Sequence, residues 1–436
     1  MITLRRLRNF WILGVATMVL ACFSNAVAQA SYKVQDLGVQ HGDNLGMPMG
    51  LNNYGWTLNM EQFLHPFSLS TANPAARGTD SITIGELNLE LGTLGGKNSS
   101  INWGGINDRG ESVGMSETSV PDPNGEDVCY FGTHLTCLPF LWKNGVMSAL
   151  PTLGGNNGQA SAINNSGQIA GYAENGIVDP TCPPGTVTNR IDLPVLWQKV
   201  QGQIQAQALP PYGKDTDGIA FGINNQGQAV GYSGTCIAVH YAVLWENLTA
   251  IALPNLGNPF AVAYAINSRG QIVGQAVNSD GTPVAVLWEN NTVTSLGGGD
   301  LPPGDAASFA TSINNRGQSV GSSFNSTGSW SHGLLWQNGV MTDLNTVFPA
   351  SDHLYVVSAS NINESGQIAG MAVVMHGSQL ENVVHGFLAT PVNEDLGKSV
   401  ADVVGTHPEI NLPAANVGNQ LSPGSARRST HNRGIF

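Results

Sequence analysis

Apolar and polar positions alternate in short runs along most of this chain, and one pair of runs keeps returning. The segment SAINNSGQIAGY (161–172) sets two alternating stretches on either side of Asn-Ser-Gly, the pattern of a tight β-hairpin. Copies of it read INDRGESVG from Ile106, INNSGQIAG from Ile163, INNQGQAVG from Ile223, INSRGQIVG from Ile266, INNRGQSVG from Ile313 and INESGQIAG from Ile362. A worn copy, LNNYGWTLN, begins at Leu51, which makes seven. The steps between them are 55, 57, 60, 43, 47 and 49 residues, the period of four-stranded propeller blades and too long for leucine-rich turns.

A second run follows each hairpin: PFLWKNG ending at Gly145, PVLWQK at 194–199, AVLWEN at 242–247, AVLWENN at 285–291 and GLLWQNG ending at Gly339. HPFSL at 65–69 and HGFLA at 385–389 are its degenerate first and last versions. A third run enters LGTLGG at Leu91 and LPTLGG at Leu150, and weakens at Leu209 and Leu253. Each unit thus predicts four strands, a to d. Gly167 and its equivalents supply the positive φ of the a-to-b hairpin, and Asn144-Gly145 and Asn338-Gly339 suit two-residue type I′ turns between c and d. Those turns stay short, whereas the b-to-c and d-to-a connections vary in length. In a four-stranded meander the variable connections share one end of the sheet, so one face is uniform and the other elaborated.

A single such sheet exposes apolar surface on both sides and buries it only against neighbours, which predicts an all-β, seven-bladed β-propeller of antiparallel blades over residues 31–390. The last unit supplies a, b and c but no d strand, while YKVQDLG (32–38) reads as a d strand with no blade before it. The N-terminal strand is therefore expected to complete the last blade and close the ring, removing two free edges, so a monomer is expected. Residues 391–436 show no period, are rich in Pro, Gly and Asn, and are read as a disordered tail with a basic end.

Composition sharpens this. Only 11% of residues are charged and 54 are glycine, a balance suited to turn-rich β structure. Arg5, Arg6 and Arg8 precede an apolar run from Phe10 to Phe23 and the small residues Ala26, Ala28 and Ala30, the layout of a signal peptide over residues 1–30. An exported protein, extracellular or periplasmic, is expected, with lipid attachment at Cys22 a minor alternative. No later stretch reaches the ~20 apolar residues of a membrane helix. Removing the three arginines takes the net charge from −13 to −16, which disfavours nucleic acid as a partner. Of the four remaining cysteines, Cys129 and Cys137 are the first expected disulfide, both lying in one loop. No His/Cys spacing suits a metal, and no cofactor is expected: DPNGED (122–127) and DTDG (215–218) are faintly calcium-like but lack EF-hand spacing.

In these motifs the chain resembles the HAF-type extracellular repeat family, named for its His-Ala-Phe triplet. His65-Pro66-Phe67, His332-Gly333-Leu334 and His385-Gly386-Phe387 stand where that triplet belongs, and the Leu-Trp, Asn-Gly and IN..G motifs resemble the rest of the unit, over about residues 32–390. No unit carries the triplet unaltered. The resemblance implies an exported β-propeller and brings no catalytic residues with it.

Residues repeated in every unit read as architecture: Asn164 and its counterparts satisfy turn backbone, and Trp142, Trp197, Trp245, Trp288 and Trp336 pack between blades. Departures from the repeat on the elaborated face are the candidates for chemistry. Three residues before each motif isoleucine lies a small residue (Ala160, Ala220, Ala263, Ala310, Ala359), but the second unit has Trp103, read as standing at the channel mouth. Trp103, with Tyr212, Trp330, Tyr355, Asp352 and His353 from neighbouring loops, forms the candidate ligand-binding set, since exposed aromatic faces stack on sugar rings. Carboxylates gather on the same side: Asp122, Glu126, Asp127, Glu174, Asp179, Asp192, Asp215, Asp217, Asp300, Asp305 and Asp352. Asp215, Asp217 and Asp305 are the catalytic candidates, because glycosidases work with two carboxyl groups at fixed separation. No GxSxG, GxxxxGK[ST] or HExxH motif is present. Two readings stand: a secreted binding or scaffold propeller engaging a polysaccharide or cell-envelope component, and a glycoside hydrolase with paired carboxylates at the channel mouth.

Overall fold

The computed structural model describes residues 31–39, 46–61 and 79–392, apart from short gaps at 86, 184–185, 187–188, 237, 298–300, 328–329, 350–352 and 377–378. It is a seven-bladed β-propeller. Each blade is a four-stranded antiparallel sheet, blades 1 to 7 spanning 46–90, 95–149, 158–208, 217–252, 257–295, 305–343 and 354–392. The fourth strand of blade 7 is the N-terminal segment Ser31–Gly38, which pairs antiparallel with Gln379–Val392 so that Val34 faces Ala389 and Asp36 faces Phe387. The propeller thus runs to Val392, two residues beyond the expected boundary. The residues of the signal peptide with Cys22, of His65-Pro66-Phe67 and of the tail from 393 lie outside the described ones. Among the described residues no helix is long and apolar enough to cross a membrane.

The core is divided among the junctions between blades. Val113 and Leu141 of blade 2 pack on Ala160, Ile169 and Trp197 of blade 3; Ala170 and Leu196 of blade 3 pack on Val243 and Trp245 of blade 4; and Val320 and Leu335 pack on Phe387 in blade 7, where Tyr32 joins them. Trp142, Trp197, Trp245, Trp288 and Trp336 are all buried. Three indoles donate to the carbonyl of the proline that precedes their own blade: Trp197 to Pro151, Trp245 to Pro210 and Trp288 to Pro254, at 2.7–2.8 Å. The second glycine of the hairpin motif has a steric cause, since a Cβ on Gly171 or Gly274 would collide with strand a and with the ring of Trp197 or Trp288.

The uniform end carries a closed ring of side chains. The motif asparagine accepts through Oδ1 from the amides two and four residues on, as Asn164 does from Ser166 and Gln168 at 3.0 and 2.9 Å. Its Nδ2 donates to the carbonyl of the asparagine in the next blade: Asn52 to Asn107, Asn107 to Asn164, Asn164 to Asn224, Asn224 to Asn267, Asn267 to Asn314, Asn314 to Asn363, and Asn363 back to Asn52, all at 2.9–3.2 Å. The turn-satisfying role was expected; the circle is visible only once the blades meet. Inside it Leu51 and the six motif isoleucines ring the end of the central channel, a space of about 170 Å³.

One expectation needs correction. Trp103 does not stand in the place of the small residue: Gly114 pairs with Ile101, as Gly171 pairs with Ala160, and residues 102–105 bulge before pairing resumes at Ile106–Ser112. Counting back from the isoleucine missed two inserted residues.

Candidate functional site

Among the described residues, the elaborated end holds four polar assemblies. The largest lies where blades 2, 3 and 4 meet. Asp217, the first residue of strand a in blade 4, turns toward blade 3: its Oδ1 accepts from the Asp192 amide at 2.9 Å, its Oδ2 from the Thr216 hydroxyl at 2.5 Å, and its carboxyl shares a hydrogen bond with Asp179. Asp179 is held in turn by the Thr181 amide and hydroxyl, each at 2.8 Å. Asn157 bridges Asp122 and Glu174 through Nδ2, and the Asn189 amide donates to Glu126. A disulfide between Cys182 and Cys236, Cα atoms 5.1 Å apart, ties the same loops of blades 3 and 4 together. Cys129, in the neighbouring b-to-c loop of blade 2, is bonded to Cys137, which lies not in that loop, as expected, but on strand c.

So many carboxyl groups under cover cannot all ionise. Burial, reinforced by the hydrogen bond with Asp179, pushes Asp217 up to about 7. Burial, with the charges of Glu174 and Asp217 nearby, pushes Asp192 well above the usual carboxylate range. Glu174 is raised by burial and then by Glu126. Asp179 feels burial too, but its hydrogen bonds to Asp217, Thr181 and Thr216 outweigh it and hold its carboxyl low. Tyr172 and Tyr232 beside the group are raised by burial and by Asp192. Asp179, Cys182 and Cys236 converge closely enough to suggest metal ligands, but both sulfurs are in the disulfide. Asp122 of the calcium-like stretch accepts instead from the amides of Asn124 and Glu126 and from Asn157.

The second assembly belongs to blade 4. Asp215 accepts from the Ser233 hydroxyl at 2.8 Å and pairs with His240 Nδ1 at 2.7 Å. Tyr212 and Tyr241 stand beside it edge to face, ring centres 5.2 Å apart, each about a third exposed. The Tyr212 amide donates to Ser233 Oγ, which fixes the loop to the sheet. The third assembly repeats this in blade 6: Asp305 pairs with His332 Nδ1 at 2.8 Å and accepts from Ser323, while His332 Nε2 meets the Tyr355 hydroxyl at 2.8 Å. Blade 7 has the simplest version, His385 with Asp36 of the closing strand.

The catalytic candidates are therefore not brought together. Asp215 and Asp305 are each engaged by a histidine and serine of their own blade, two blades apart, and Asp217 faces away toward blade 3. Among the ligand-binding candidates, Tyr212 is on a platform, Tyr355 caps a histidine, and His353 is exposed, with its carbonyl accepting from Met375. Trp103 and Trp330 lie in strands, their side chains outside the described residues, as are Asp300 and Asp352. His240 and Tyr241 escaped the sequence reading because the place opposite the strand-b serine, taken by His332 in blade 6, is taken by Tyr241 in blade 4, with His240 one residue before it. The recurring Asp five places before the strand-a alanine (Asp215 before Ala220, Asp305 before Ala310) and Ser two places after the strand-b glycine were the available signal.

No family model matches the chain, and no curated protein does. Among solved structures, the chain is similar to the β-propeller domain of the Trilobed protease from Pyrococcus furiosus, with 9% identity and a TM-score of 0.44, covering 88% of this chain and all of that one. It is also similar to virginiamycin B lyase from Staphylococcus aureus, with 12% identity, TM-score 0.40, and 82% and 99% covered. The lectin of Aleuria aurantia, described in complex with Fucα1-6GlcNAc, aligns at 11% identity, TM-score 0.31, with 87% and 99% covered. These are likenesses of fold.

Proposed function

We propose that this chain is an exported β-propeller, as the HAF-type resemblance implies, and that it binds an extracellular polysaccharide or a glycan of the cell envelope through its elaborated end. The observation that carries this reading is the platform on blade 4. Tyr212 and Tyr241 offer two partly exposed rings, and Asp215 and His240 beside them offer hydrogen-bonding groups held in place by Ser233, the mixture that sugar rings use for stacking and orientation.

A second reading, glycoside hydrolysis, draws on Asp217 and Asp179, whose surroundings push one carboxyl up and the other down, the split expected of an acid and its partner. Their geometry argues against it. They share a hydrogen bond, whereas glycosidase carboxyls stand roughly 5 Å or more apart to admit the scissile bond.

Affinity electrophoresis in a panel of soluble polysaccharides separates the two. A binder is retarded by at least one polysaccharide, and Tyr212→Ala or Tyr241→Ala weakens retention roughly tenfold or more, about 1.4 kcal/mol. Turnover of chromogenic glycosides that disappears in Asp217→Asn would replace this reading with the hydrolase.

A further inference from the structure

The uniform end is less uniform at one junction. At five other junctions a side chain from one blade lies over the turn glycine of the next. A Cβ added to Gly167, Gly317 or Gly366 would sit 2.8, 2.9 or 2.5 Å from the guanidinium of Arg109, Arg269 or Arg316, and one added to Gly227 or Gly55 would sit 3.1 or 3.2 Å from Oε1 of Gln168 or Gln367. Gly270 in blade 5 is different, with nothing within 4 Å of that point. The residue placed to cover it is Gln226, but its Nε2 is turned to the carbonyl of Ser268 at 2.9 Å. A second circle of hydrogen bonds also lapses here. The residue after the motif asparagine is bonded to its counterpart in the next blade at other junctions, as Asn165 is to Asn225 and Ser268 to Asn315, yet among the described residues nothing joins Asn225 to Ser268. The outcome is a groove of about 300 Å³ between blades 4 and 5, lined by Gln226, Gln228, Glu246, Asn247, Arg269 and Gly270.

We propose that this groove is a second ligand site that takes a single uncharged hexose unit. Its lining combines the Glu246 carboxylate with the side-chain amides of Gln226, Gln228 and Asn247, so acceptors and donors stand side by side, while the Arg269 guanidinium lies beyond the groove over Gly317. That mixture suits vicinal hydroxyl groups, which donate and accept together, and it offers neither an apolar wall nor the surplus positive charge that a phosphate requires. The key groups are held in advance. Gln228 is fixed at both ends, its Oε1 accepting from Asn224 Nδ2 at 2.7 Å and its Nε2 donating to Glu246 Oε1 at 2.6 Å, and Gln226 is held by the Ser268 carbonyl. Binding therefore orders few side chains, which limits its entropic cost. The volume is at the small end for ligand sites, the scale of one sugar ring. The groove is at the opposite end of the propeller from the Tyr212–Tyr241 platform and does not depend on it.

The test uses the natural pattern against itself. Gln226→Arg places in blade 4 the side chain that Arg109, Arg269 and Arg316 provide elsewhere, and should fill the groove. Saturation-transfer NMR with glucose, galactose, mannose and N-acetylglucosamine should show wild-type protein binding at least one of them. Gln226→Arg should weaken that binding roughly tenfold or more with the thermal midpoint unchanged or raised, and Tyr212→Ala should leave it intact. Absence of binding by the wild type, equal binding by Gln226→Arg, loss confined to Tyr212→Ala, or binding of inorganic phosphate alone would each overturn the proposal.

Discussion

At the uniform end Asn363 is buried and fully engaged: its Oδ1 accepts from Ser365 and Gln367, and its Nδ2 donates to Gln367 Oε1 and to the carbonyl of Asn52. At the elaborated end Asp217 is buried too, yet its carboxyl is shared with that of Asp179 and kept from ionising normally. Glu111 completes the contrast. On the uniform face burial works to raise its carboxyl, but the bonds from Lys143, Arg109 and Asn107 together outweigh that and hold it at about 2. One end places buried polar groups where partners are guaranteed by repetition; the other gathers acids from three blades with too few cations to answer them. Repetition lets a fold satisfy its polar atoms once and copy the solution. Loops that differ from blade to blade have no such template, and strained ionisation accumulates there.

Breaking the ring itself should have the largest consequence. Deleting residues 31–38 strips the partner from Gln379–Val392 and uncovers Phe387 and Ala389, so loss of cooperative urea unfolding, or association on size exclusion, is expected. Next in size is the clasp between blades 3 and 4. Replacing Cys182 and Cys236 by serine opens a link of 54 residues and should cost about 4 kcal/mol in denaturant unfolding, against about 2.5 kcal/mol for Cys129 and Cys137, only 8 apart. Asn363→Ala removes five hydrogen bonds from a buried position and should cost about 3 kcal/mol by the same measurement.

The effects of pH should run in opposite senses at the two ends. Asp217 has a raised pKa, so its contribution is complete below about pH 4 and is lost as pH rises through about 7. The thermal midpoint of Asp217→Asn should therefore fall less than that of the wild type between pH 5 and pH 8. Glu111 is lowered, so its contribution is present above about pH 4.5 and is lost as pH falls through about 2. Glu111→Gln should lower the midpoint at pH 7 and have little effect at pH 2.

The architecture was legible because each blade repeats the same local bargain between alternation and turn. The IN..G hairpins, the Leu-Trp strands and the orphaned YKVQDLG strand together specify seven sheets and their closure without any knowledge of distance. Positive φ at Asn144 and Gly145, and at Asn338 and Gly339, follows from the same reading. The candidate site was legible only as composition. Asp179 and Asp217 are 38 positions apart and meet because the b-to-c loop of blade 3 reaches the first residue of blade 4, a contact set by loop lengths that no period records. The bulge that displaces Trp103 escapes for a related reason: two inserted residues change what faces what while leaving the motif intact.

The contrast between the two ends can be read directly by carboxyl ¹³C NMR, following Asp217 and Glu111 through a pH titration and assigning each by its amide variant. The account predicts that Asp217 titrates near 7 and Glu111 near 2. Two midpoints together near the ordinary value of about 4 would contradict it.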